Sequence, residues 1–159
     1  MKKRDLVFVV EDDLFYANVL KSFLESKGYT NIKLYATAED CIDYLYKCPK
    51  LILLDYNLGD RLGQDVLTEV VAFDPNIPVI VISGQESIQS AIDLLKYGAY
   101  EYIQKSDEVF TKLESILGMI EVSKKKVEER RVNAKLKKGL VIGSLFALVI
   151  FTTLIMLKM

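Results

Sequence analysis

Four apolar residues, Leu51-Ile-Leu-Leu54, run without a break into Asp55, and turn-forming residues with glycines at 59 and 63 follow at once. A short, continuous apolar run reads as a strand covered on both faces, which is the condition of a strand in a parallel sheet. Asp55 then stands where a central strand leaves the core. In open α/β sheets, ligands bind at that end of the strands.

The rest of the chain repeats the pattern. Residues 6–10 form a second unbroken apolar run, closed by Glu11-Asp12-Asp13. Acids favour a helix start, and Leu14, Ala17, Leu20, Phe23 and Leu24 recur at helical spacing up to Gly28. A short strand is predicted at 32–35. Thr37 is placed to cap a helix over 38–47, with Pro49 beyond its end. The central strand covers 51–54, and a helix over 64–72 ends at the turn Asp74-Pro75-Asn76. Pro78 opens a fourth strand over 78–83. A helix over 87–97 stops at Gly98, a fifth strand covers 100–104, and a last helix starts near Asp107 or Glu108 and can continue to Lys138. Five strand–helix alternations predict an α/β fold, a doubly wound five-stranded parallel sheet in strand order 2-1-3-4-5. In that order the acids after Val10 and the acid after Leu54 share one pocket.

Composition narrows the function. The net charge of −1 hides a polarised layout: residues 1–123 carry 12 Lys/Arg against 20 Asp/Glu, while 124–138 carry 8 Lys/Arg against 2 Glu. The acidic part argues against direct nucleic-acid binding. Histidine is absent, which excludes His nucleophiles, His metal ligands and a phosphohistidine within this chain. The two cysteines, Cys41 and Cys48, fall on one predicted helix, about 10 Å apart in rise and beyond disulfide reach. The basic Met1-Lys-Lys-Arg4 before the 6–10 run is no signal peptide, since the apolar stretch is short and ends in acids.

The strand ends gather Glu11, Asp12 and Asp13, Asp55, Ser83 and Lys105. Clustered carboxylates repel one another and invite a hard divalent cation such as Mg²⁺. Lys105 can pair with an anion as a point charge, and Ser83 can donate a hydrogen bond, with Gly84 beside it leaving room for a bulky group. Metal, cation and hydroxyl around a carboxylate nucleophile make a site for phosphoryl transfer.

These segments resemble, in order and spacing, the response-regulator receiver domain of two-component signalling, a flavodoxin-like fold. Val9-Val10-Glu11-Asp12-Asp13 resembles its acidic metal-binding pair, and Leu54-Asp55-Tyr-Asn57-Leu-Gly-Asp-Arg-Leu-Gly63 its phosphoacceptor loop. Pro78-Val-Ile-Val-Ile-Ser83-Gly84 resembles the strand with the switch hydroxyl, and Gly98-Ala99-Tyr-Glu-Tyr102-Ile-Gln-Lys105 the segment with the switch aromatic and the essential lysine. The resemblance covers about residues 5–122. It implies that Asp55 accepts a phosphoryl group and is itself a metal ligand, that Asp12 ligates Mg²⁺ directly, that Glu11 holds a metal-bound water and that the Asn57 carbonyl is a further ligand. It implies that Lys105 pairs with the phosphoryl oxygens, that Ser83 moves to hydrogen-bond them and that Tyr102 turns inward behind it. The implied donor is a sensor histidine kinase or a histidine phosphotransfer protein, and the implied output is protein contact. Ser106 and Gly59 stand where the family commonly has proline; the first predicts a differently held Lys105, the second a freer loop.

Other readings of the architecture fit less well. A haloacid-dehalogenase-type phosphatase wants an acid where Asn57 stands. A flavodoxin-type flavin site wants a hydroxyl- and glycine-rich loop where three acids stand. GxxxxGK and GxGxxG loops are absent. A degenerate receiver, recruiting a partner without phosphorylation, is the standing alternative.

Residues 140–157 carry no charge. With Gly139 they make about 28 Å of helix, close to the ~30 Å hydrocarbon core of a bilayer. The expected organisation is a receiver domain over 1–122, a basic juxtamembrane helix over 123–138 and a transmembrane helix over 139–157. The basic run before the span predicts a single-pass protein of the inner (plasma) membrane with its receiver on the cytoplasmic side. Gly139, Gly143 and Ala147 form a small-residue face that permits a homodimer.

Overall fold

The computed structural model describes residues 3–84 and 88–156, with 139–156 as helix backbone alone. Its strands are β1 (Val7–Val10), β2 (Ile32–Tyr35), β3 (Leu51–Asp55), β4 (Val79–Ser83) and β5 (Glu101–Gln104). Its helices are α1 (Leu14–Ser26), α2 (Ala38–Asp43), α3 (Gly63–Phe73), α4 (Ile88–Lys96) and α5 (Val109–Met156). All five strands are parallel, in the order β2-β1-β3-β4-β5. The chain divides into two compact units, Met1–Glu121 and Val122–Met159.

The three inner strands are apolar on both faces because both faces are covered. Every residue of β1, β3 and β4 is buried. Side chains alternate across a strand, so the runs divide between two cores. Val7, Val9, Leu51, Leu53, Ile80, Ile82 and Ile103 pack with Leu20 and Leu24 of α1 and Leu113, Leu117 and Ile120 of α5. Phe8, Val10, Ile52, Leu54, Val79 and Val81 pack with Ala38 and Cys41 of α2, Val66, Leu67 and Val70 of α3 and Leu94 of α4.

Helix boundaries follow local chemistry. Asp13 caps α1, its carboxylate accepting the N–H groups of Phe15 and Tyr16. Gly28 closes that helix in the left-handed region, at φ +88°. Of the predicted α1 stripe, Ala17, Leu20 and Leu24 are buried, but Leu14 is 70% exposed. It is the first residue of the helix. The helix expected over 38–47 is shorter. It stops at Asp43, and a single 3₁₀ turn (Leu45–Lys47) leads to Cys48 at φ 53°, which turns the chain toward β3. Cys41 and Cys48 are therefore not on one helix, and both are free thiols.

The predicted start of α4 at Ser87 lies outside the described residues, as does residue 157 of the expected span. So do the side chains of 139–156, which include the small-residue face at Gly139, Gly143 and Ala147. Among the residues described with their side chains, which exclude 139–157, no helix is long and apolar enough to cross a membrane. In the second unit, residues 125–138 of α5 are exposed throughout, in keeping with their charge.

Candidate functional site

Register alone assembles the site. Val10 pairs with Leu54, so Glu11 and Asp55 continue adjacent strands side by side. Asp55 pairs with Ile82, and Ser83 with Gln104, so Lys105 follows one step beyond. The ladder carries past the strand ends: Glu11 N–H donates to Tyr35 O at 3.0 Å and Lys105 N–H to Ser83 O at 2.7 Å. Alternation then sorts the side chains by face. Glu11, Asp55 and Lys105 share the parity of Val9, Leu53 and Ile103, the α1/α5 face. Ser83 and Tyr102 have the opposite parity, and Tyr102 packs half-buried against the α2/α3 core.

The acids and the lysine are in contact. Lys105 Nζ donates to Glu11 Oε2 at 2.9 Å, to Glu11 Oε1 at 3.1 Å and to Asp55 Oδ2 at 3.0 Å. The Glu11 and Asp55 side chains are 1% and 8% exposed and that of Lys105 25%. Burial raises the Glu11 pKa to about 7; Asp55 adds to the rise and Lys105 opposes it. Burial pulls the Lys105 pKa down, but its bonds to Glu11 and Asp55 outweigh burial and hold it above the ordinary value. The ammonium also lies 4.4 Å from the centre of the Tyr16 ring.

Glu11, Asp12 and Asp55 each offer a carboxylate oxygen, all within 4.8 Å of one another. Three hard oxygen donors at that spacing, one of them on the exposed Asp12, suit Mg²⁺, which takes few protein ligands and keeps several waters. Asp13 is not among them, because its carboxylate is committed to the α1 cap. Asn57 is exposed beside this cluster, its N–H 3.4 Å from Asp55 Oδ1. Ser83 is fully buried at the end of β4. A Cβ added at Gly84 would meet nothing within 4 Å among the described residues.

The loop after Asp55 is more restrained than its glycines suggest. Asn57 and Leu62 form an antiparallel bridge, and Gly63 N–H donates to Tyr56 O at 2.6 Å. Leu58 is buried. The Asp60 carboxylate accepts the N–H groups of Ala38 and Glu39 at 3.1 and 3.3 Å, capping α2. A Cβ on Gly63 would lie 2.6 Å from the Asp55 carbonyl oxygen and 2.9 Å from Tyr56 Cα, so the loop closes only over a glycine. The peptide bonds of the described residues are all trans, including the one between Lys105 and Ser106.

Sequence reasoning passed over three neighbours of the site. Tyr16 falls off the apolar stripe of α1 and carries no motif. Asp60 reads as one more turn residue, and its partner lies 22 residues away in sequence. Gly63 was legible as a turn glycine, but not as a close approach of two backbones.

The model of the response regulator receiver domain matches residues 7–115. The chain belongs to this family. A receiver domain is a phosphoacceptor signalling module, and its acidic cluster is of the Mg²⁺-binding kind. The regulatory protein LuxO of Vibrio vulnificus is 36% identical over 101 residues, 63% of this chain and 22% of that protein. The transcriptional regulatory protein ZraR of Klebsiella oxytoca is 30% identical over 103 residues, 62% of this chain and again 22% of the relative. The receiver thus spans 22% of the length of these curated relatives. Among solved structures, a CheY-like receiver domain protein from Methanospirillum hungatei superposes with a TM-score of 0.68 at 26% identity, covering 77% of this chain and 98% of the other. CheY of Borrelia burgdorferi, in its complex with CheX, BeF₃ and Mg²⁺, superposes with a TM-score of 0.67 at 27% identity, covering 73% and 88%.

Proposed function

We propose that this receiver accepts a phosphoryl group on Asp55, in a Mg²⁺-dependent transfer from the phosphohistidine of a sensor histidine kinase or histidine phosphotransfer protein. The observation that carries the reading is the sharing of one ammonium, Lys105, between Asp55 and Glu11, within a cluster that also offers Asp12 to a metal. An Asp55 carboxylate oxygen attacks phosphorus, the P–N bond of the donor breaks, and its electron pair leaves with the imidazole. Lys105 then follows the charge from the carboxylate to the phosphoryl oxygens. Bound Mg²⁺ supplies neutralisation of the developing oxygen charge. Asp12 would hold it directly and Glu11 through a water, with Asp55 and the Asn57 carbonyl as the further protein ligands. The Borrelia complex supports this assignment, since it pairs a receiver with a phosphoryl mimic and Mg²⁺ together.

Output runs through Ser83 and Tyr102. Ser83 turns to hydrogen-bond the phosphoryl group, Tyr102 moves inward behind it, and the α4–β5–α5 surface changes for a protein partner. The uncharged stretch 139–157 anchors the receiver to the inner face of the membrane, with the basic 123–138 segment at the headgroups.

The deciding experiment incubates the full chain in detergent with Mg²⁺ and acetyl phosphate. A gain of one phosphoryl mass, absent in Asp55→Asn, is expected. No gain with any small donor or kinase, together with partner binding that persists in Asp55→Asn, would replace this reading by a phosphorylation-independent adaptor. Deleting 139–159 is expected to release the protein from membranes; unchanged retention refutes the anchor.

A further inference from the structure

Tyr16 stands on the face of the sheet that carries Glu11, Asp55 and Lys105, and the phosphoacceptor reading leaves it unused. Its backbone is fixed by the α1 cap, its N–H donating to Asp13 Oδ1 at 3.2 Å. Its hydroxyl is buried and has no hydrogen-bond partner among the described residues. A buried tyrosine usually finds such a partner, so hydroxyl bonding does not account for the placement of this side chain. The ring does: its centre is 4.4 Å from Lys105 Nζ, and the electron-rich face of an aromatic ring attracts an ammonium.

The other Lys105 side-chain bonds go to Glu11 and Asp55, the oxygens a divalent cation would claim. Metal binding weakens those bonds, and phosphorylation converts the Asp55 carboxylate into an acyl phosphate. Neither event claims the ring, because Tyr16 is neither a metal donor nor a phosphoryl acceptor. We propose that Tyr16 is a positioning residue for phosphoryl transfer: its ring face keeps the Lys105 ammonium at the site while the carboxylates exchange it for metal and phosphoryl group. This rests on the phosphoacceptor reading of Asp55.

The test compares the full chain in detergent with Tyr16→Phe, which keeps the ring, and Tyr16→Leu, which keeps apolar bulk without it. The first readout is the mobility of the Lys105 Cε methylene by ¹³C relaxation at saturating Mg²⁺, before any phosphodonor is added. Lys105 is expected to stay ordered in wild type and Tyr16→Phe and to become mobile in Tyr16→Leu. The second is the rate of phosphorylation by acetyl phosphate, expected to fall about tenfold in Tyr16→Leu and to stay within about twofold in Tyr16→Phe. In a Lys105→Ala background, Tyr16→Leu is expected to slow the reaction no further, as a residue acting through Lys105 must. An ordered Lys105 in Tyr16→Leu, or an undiminished effect in the Lys105→Ala background, overturns the proposal. Should Tyr16→Leu fail to fold, Tyr16→Met makes the same comparison. A wild-type chain that takes no phosphoryl group sinks the phosphoacceptor reading instead, while the relaxation comparison still decides whether Tyr16 holds Lys105.

Discussion

Lys105 Nζ lies 2.9 Å from Glu11 Oε2, yet the lysine does not bring the glutamate back to an ordinary acidity. Burial raises the Glu11 pKa from 4.5 to about 7, with Asp55 pushing the same way against Lys105. The folded chain therefore holds a proton on Glu11 that the unfolded chain has already lost. The stability this group contributes is full below about pH 4.5 and declines as pH rises through about 7. Urea midpoints in EDTA between pH 5 and 8 should show a downward slope that is flatter in Glu11→Gln. Equal slopes in the two proteins would mean that Glu11 is already ionised in the metal-free fold.

Metal binding should reverse that trend. A carboxylate must be ionised to face Mg²⁺ or its bound water. Near neutrality, Mg²⁺ binding is expected to release a fraction of a proton from Glu11 and to tighten from pH 6 to pH 8. Calorimetric titration in two buffers of different ionisation enthalpy measures the release directly. Glu11→Gln should bind more weakly, with the proton release gone; removing Mg²⁺ with EDTA should abolish phosphorylation of the wild type.

Replacing Lys105 by Ala leaves two buried acids facing each other. Breaking a fully buried ion pair costs about 3–5 kcal/mol. Lys105 is 25% exposed and Glu11 can take up a proton, so a loss of about 1–3 kcal/mol is expected at pH 7 without metal. Mg²⁺ would supply the missing positive charge, so the deficit should shrink when unfolding is repeated at saturating Mg²⁺. A deficit unchanged by Mg²⁺ would show that the loss comes from the packing of the lysine stem instead.

The fold was legible because β1, β3 and β4 are unbroken apolar runs that only a doubly covered sheet can use, and most breaks carry a glycine, a proline or a capping residue. Glu11, Asp12, Asp55 and Lys105 were legible as a set because parallel strands end together. What escaped depends on which face a residue takes and on distance in space. Strand parity puts Lys105 over α1, and only then does Tyr16 meet it. Leu14 reads as part of the α1 stripe, yet it is exposed at the start of the helix. The loop over 56–62 reads as free because Gly59 stands in it, but the Asn57–Leu62 bridge within it and the long-range Asp60 bonds are closures that composition does not announce.

Gly63 tests the close approach behind Asp55. An alanine Cβ there would meet the Asp55 carbonyl oxygen at 2.6 Å, a backbone atom that cannot step aside without moving the end of β3. Gly63→Ala is expected to cost about 1–3 kcal/mol in urea unfolding and to slow phosphorylation beyond that loss, because the displaced backbone carries the acceptor. Wild-type stability would show that the loop has slack.

Asp60 ties the loop after the acceptor to a different layer of the fold. Its two carboxylate oxygens take the first free N–H groups of α2, on Ala38 and Glu39, while Thr37 takes the N–H of Asp40. Burial opposes ionisation, but these N–H bonds and those of Asp60 and Arg61 together outweigh it and lower the Asp60 pKa. Asp60→Ala should cost about 1 kcal/mol at pH 7, the usual worth of a side-chain cap, with solvent exposure holding it to that scale. Because the folded pKa is depressed, the ionised cap stabilises above the unfolded value of 3.8 and loses that contribution as pH falls through the folded one. The gap between wild type and Asp60→Ala in urea midpoint should therefore narrow from pH 7 to pH 3. A gap constant across that range would assign the loss to the shape of the loop and not to the charge on Asp60.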